Sequence, residues 1–95
     1  MNKTVEFVDA QEMHHNNPKN FYAPDEAMLN SIEPGNTVKV CANNTERFWV
    51  MITEVRPDHI TGEVNNDLVC TDEHGLSLHD TIQFEKRHIY QIYEP

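Results

Sequence analysis

The ten residues from Glu46 to Val55, ERFWVMITEV, limit what this chain can fold into more than any other stretch. Successive residues of a β-strand point to opposite faces, so a strand with one wet side alternates apolar and polar side chains. Here Phe48, Val50 and Ile52 share one face while Trp49 and Met51 share the other. Both faces therefore demand cover. Phe48, Val50 and Ile52 are expected to fill the core, and Met51 with part of Trp49 to lie beneath an N-terminal segment of the same chain.

The sequence around this strand is punctuated in the same manner. Thr37 to Ala42 alternates Val38 and Val40 with Lys39 and Cys41, and Asn43-Asn44 supplies a turn into the long strand. Pro57-Asp58 ends it, and His59 to Val64 begins the next strand with Ile60, Gly62 and Val64 on one face. Glycine inside a strand permits sharp bending or close backbone approach. Asn65-Asn66-Asp67 is a further turn signal, followed by the short apolar run Leu68-Val69-Cys70 and the polar loop TDEHGLSLHD. Thr81 to Phe84 then places Ile82 and Phe84 inward, and HIYQIY closes the pattern. Strands this short, at near-regular spacing, predict a mainly β protein built on a small, strongly bent antiparallel sheet or barrel.

Upstream, FYAPDEAMLNSIEPG carries the one persuasive helix. Pro24 suits a first helical position, Asp25 and Glu26 favour the positive end of the helix dipole, and Met28, Leu29 and Ile32 share a face. Two turns are too few to stand alone, so that face must dock, and the outer side of ERFWVMITEV is the most apolar surface available to it. Residues 1–20 read as a polar arm, extended or partly ordered, with Thr4 to Val8 able to form a short edge strand. Residues 21–95 are then the folded domain with its leading helix.

The charge is −9, from 16 acids against 7 bases, and both parts of the chain share it. Such a surface repels nucleic-acid phosphates and anionic membranes, which argues against direct binding to either. Nothing approaches the run of about 20 apolar residues that a membrane helix needs, and there is no signal-like leader, so a cytoplasmic protein is expected. Cys41 and Cys70 form no disulfide framework or zinc spacing and read as reduced, buried thiols, with a cross-strand disulfide as the second reading.

PGNTVKV, ERFWVMITEV, ITGEVNND and HDTIQFEKRHIY, led by NPKNFYAP, together resemble an uncharacterised bacterial domain family whose members also occur in mobile elements. The likeness spans roughly residues 18–92. It departs at Asn36, where the family usually has an acid, and at His79, where it usually has glycine. The resemblance implies a small SH3-like β-barrel with an N-terminal extension and brings no established activity with it.

Asn66, Asp67 and Asp80 suit turns in which side chains bond backbone groups, with Arg47 able to pair with one of the carboxylates. Among six histidines, His74 and His79 lie in a loop with Asp72, Glu73 and Asp80, but no pair has the spacing of a firm zinc or manganese site. His74, His79 and Asp72 are thus only weak metal candidates, and no cofactor is implied. His88 is expected to cap the last strand. Neither serine lies in a strained elbow, and three glycines leave little for a phosphate loop. The leading expectation is a noncatalytic protein-binding domain, monomeric or weakly dimeric, whose binding candidates are Trp49, Arg47, Asn66, Asp67, Asp80, Tyr90 and Tyr93 and whose partner has a basic surface. The alternatives are an acidic decoy that mimics nucleic acid for a mobile element, and a metal-dependent hydrolase using loop 71–80.

Overall fold

The computed structural model describes residues 6–68 and 75–93. Five strands, β1 (Thr37–Ala42), β2 (Glu46–Val55), β3 (Ile60–Val64), β4 (Thr81–Phe84) and β5 (Gln91–Ile92), form one antiparallel sheet in the order β4-β3-β2-β1-β5. Asn43 and Asn44, with φ of 49° and 56°, make the β1–β2 turn. Asparagine tolerates that left-handed region and the turn's twist matches that of the strands. Pairing between β2 and β3 slips between Ile52 and Glu54, leaving a bulge at Thr53. The extra residue bends the long strand. Bent as it is, the sheet does not close into a barrel, because its end strands β4 and β5 are not paired with each other.

The inner face carries the core. Phe48, Val50 and Ile52 are at most 1% exposed and pack with Val38, Ile60 and Val64, as their shared face requires. Gly62 lies on this face opposite Ile52, and a Cβ there would stand 2.4 Å from a Val50 methyl. Close approach, then, is what the glycine serves.

Two helices precede the sheet: α1 (Ala10–Asn16) and α2 (Glu26–Asn30). Asp25 is the N-cap of α2, accepting a hydrogen bond from the Met28 N–H at 2.8 Å, so Pro24 stands one residue before the cap and not at the first helical position. Leu29 and Ile32 do not cover the outer face of β2; they join Phe48 and Val50 in the inner core. The chain after them is tied to β2 by Gly35 N–H to Ile52 O and Ile52 N–H to Asn36 O, both 2.8 Å, which delivers α2 to the inner side.

The polar arm is more structured than its composition suggests. Asp9 caps α1 by accepting from Glu12 N–H at 3.0 Å, an Asp-x-x-Glu pattern that marks helix starts. Phe7 bridges to Ala42, Val8 N–H donates to Cys41 O, and Asn43 N–H donates to Glu6 O. Residues 6–23 thereby cross one end of the outer face, where Ala10 and Ala23 pack with Cys41 and Tyr90. Met51, expected beneath such a segment, is instead 37% exposed. Cys41 is buried, and Cys70 lies outside the described residues. Among the described residues, no helix is long and apolar enough to cross a membrane.

Candidate functional site

The outer face of the sheet has a covered end and an open end. Register sets Lys39 opposite Trp49 and Cys41 opposite Arg47; Cys41 is buried against residues 6–23, whereas Arg47 is exposed. At the open end Trp49 is half-buried, and its backbone is held by Asn66 Oδ1, which accepts from Trp49 N–H at 2.6 Å, and by Asn65 N–H, which donates to Trp49 O at 2.9 Å. Tyr93 N–H donates to Thr37 O at 2.8 Å, which brings its ring edge-on to Trp49 at 5.9 Å and 86°. That perpendicular arrangement suits the quadrupoles of the two rings. Lys39 Nζ stands 4.6 Å over the indole.

Tyr22 and Met28, joined by a hydroxyl–sulfur contact of 3.8 Å, form the opposite wall. With Trp49, Gln91, Ile92 and Tyr93 they line an open groove of about 480 Å³. Tyr22 and Tyr93 are 58% and 55% exposed, so both groove walls present aromatic surface to solvent. Among the described residues, no carboxylate lines it. Tyr22 and Met28 were missed as site residues in the sequence, where Met28 counted only as part of a docking helix face. Their approach to Trp49 depends on the path of the chain between α1 and α2, which leaves no periodic signal.

At the covered end, Arg47 stacks 4.5 Å over Tyr90 and lies 6.0 Å from Phe21. Tyr90 is 5% exposed, so its ring supports the face from within and is not on the contact surface. Burial pushes the Tyr90 phenol and the Cys41 thiol up from their ordinary pKa values, with Arg47 pulling each back in part. A protonated, buried thiol is a poor nucleophile.

The remaining candidates serve turns and surface pairs. Asn66 also donates from Nδ2 to Asp67 O at 2.8 Å, and Asp67 itself is exposed. Asp80 accepts from Ser77 N–H at 2.9 Å, closing the turn ahead of β4. His79 meets Glu63 at 2.6 Å on the surface. His74 and Asp72 lie outside the described residues. Among the described residues, no group of three or more His, Cys, Asp or Glu side chains is placed to hold a metal ion. His88 closes a 3-10 turn (Lys86–His88) between β4 and β5, its Nδ1 accepting from Glu85 N–H at 2.9 Å. No family model, curated protein or solved structure matches this chain.

Proposed function

We propose that this protein is a noncatalytic, cytoplasmic binding module of SH3-like type, kin to the bacterial domain family its motifs resemble, and that it docks a basic protein segment. The strand order and the 3-10 turn between the last two strands support the SH3-like reading. The binding reading rests on one observation above all: Trp49 and Tyr93 face Tyr22 across an open aromatic groove on a chain of charge −9. Aromatic side chains give large contact area for little lost rotamer freedom, and they are enriched at interface centres. Lys39 holds a positive charge over the indole, so the partner's bases are steered by the field of the whole protein and settle around the rim.

Affinity capture from the native cell, with wild-type protein beside a Tyr22→Ala/Tyr93→Ala variant of matched melting temperature, tests this reading. Both tyrosines are more than half exposed, so the variant keeps the fold. The wild type retains a protein with a basic contact segment whose association slows as salt rises, and the variant loses it. Identical captured sets from the two proteins would refute the proposal.

A further inference from the structure

We propose that neutral His88 is a pH-sensitive latch that holds residues 6–23 across the sheet. The latch starts with a hydrogen bond whose direction is fixed. Glu85 N–H can only donate, so His88 Nδ1, 2.9 Å away, must offer its lone pair, and the proton of the neutral ring sits on Nε2. The same ring lies 5.8 Å from that of Phe7, which meets Phe84 edge-on at 6.2 Å and bridges to Ala42. The preceding residue, Arg87, reaches Asp9 at 3.5 Å, and Asp9 is the cap of α1. One 3-10 turn therefore grips the segment at two adjacent points.

Protonation sets a second donor against Glu85 N–H. The two hydrogens oppose each other, the turn must open, and Phe7 and Asp9 lose their footing together. The charged groups facing His88 are Arg87 and Glu85 on its own turn and Asp9 from the N-terminal segment, while Phe7 and Phe84 are apolar. Burial, then Arg87, disfavours the imidazolium; Glu85 and Asp9 favour it, and burial prevails, holding His88 below the ordinary histidine pKa. The docked state binds its proton less readily than the released state, so docking is fully favoured above about pH 6.5 and weakens as pH falls towards the lowered value.

His14, His59 and His79 differ from His88 in the partner that faces the ring. His14 Nδ1 lies 2.6 Å from Phe21 O, an acceptor, so that nitrogen is already a donor and protonation keeps the bond. His59 and His79 sit beside Asp58 and Glu63, where a positive ring strengthens the pair. Release would uncover Cys41 and Tyr90 and take Tyr22 away from the groove wall, but the latch itself does not depend on the binding role.

Amide hydrogen exchange on the full chain, followed by NMR from pH 7 to pH 5 alongside the His88 ring signals, tests the latch. Protection at Val8 and Asn43, whose N–H groups bond Cys41 O and Glu6 O, is expected to fall by up to about tenfold per pH unit. That fall should begin at about pH 6.5 and level off where the docked His88 ring titrates, while Ile52 and Val64 hold their protection. His88→Gln, whose carbonyl accepts at every pH, is expected to keep the segment docked and abolish the pH dependence. Flat protection at Val8 and Asn43 while His88 titrates, an equal loss at Ile52 and Val64, or a fall that survives in His88→Gln would each overturn the proposal. If His88→Gln fails to fold, the wild type decides alone: protection at Val8 and Asn43 must level off where the His88 ring titrates.

Discussion

Replacing Gly62 with alanine adds one methyl group at the tightest point of the core. The new Cβ would lie 2.4 Å from Val50 Cγ1 and 2.9 Å from the Met51 carbonyl oxygen. Carbon pairs are most comfortable at about 3.5–4.0 Å, so Val50 or the backbone must retreat by roughly an ångström or more. Neither has room. Val50 is 0% exposed, paired with Val38 on one side and Val64 on the other, and the Met51 carbonyl belongs to the β2 backbone. Valine is also stiff about χ1, so a rotamer change offers little relief. Overpacking of this kind destabilises by about 1–3 kcal/mol, against a gain of at most about 1 kcal/mol from stiffening the unfolded chain. A net loss of about 1–2 kcal/mol lowers the melting temperature by roughly 4–16 °C in a domain of this size. Urea unfolding should show a lower midpoint at constant slope. The decisive comparison is the double-mutant cycle with Val50→Ala, which removes the clashing methyl. The double variant should be more stable than the two single losses add up to, by about 1 kcal/mol or more. Strict additivity, or a neutral Gly62→Ala, would show that the glycine is there for another reason.

Two further outcomes bear on the residues that position the groove and its helix. Asn66→Ala leaves the Trp49 N–H without its side-chain acceptor and should destabilise by about 1–3 kcal/mol in denaturant titration, with a shift in tryptophan fluorescence, whereas Asn66→Asp, which keeps an oxygen there, should lose less. Asp25→Ala removes the cap of α2 and should cost about 1 kcal/mol by the same measurement.

The protein's carboxylates show why charge alone is a poor guide to role. Asp9 and Asp25 cap helices, Asp80 closes a turn, and Glu54, Asp58 and Glu63 pair with neighbouring bases or histidines. These are local structural duties on the surface, where each pair contributes little to stability. The acidic surplus that remains acts through its summed field, which governs solubility and the approach of partners.

What could be read from residues alone was whatever depends on near neighbours. The period of two in Thr37–Ala42 and Glu46–Val55, the Asn43-Asn44 turn, the single inward face of Ile60, Gly62 and Val64, and the turn-closing role of Asp80 follow from strand geometry and side-chain chemistry within a few residues. The Asp9–Glu12 cap was legible too, but the polar composition around it concealed the helix it begins. Tertiary structure alone decided which segment covers which face. Two apolar surfaces of similar size can each accept the same amphipathic turn, and burial is non-directional, so sequence periodicity does not choose between them. The choice came from backbone tethers: Gly35 and Asn36 bound to Ile52 carried Leu29 and Ile32 inward, and Val8 bound to Cys41 carried the N-terminal segment over Tyr90. Trp49, Tyr93 and Tyr22 were thus left around an open groove, because the long-range hydrogen bonds spent the available cover elsewhere.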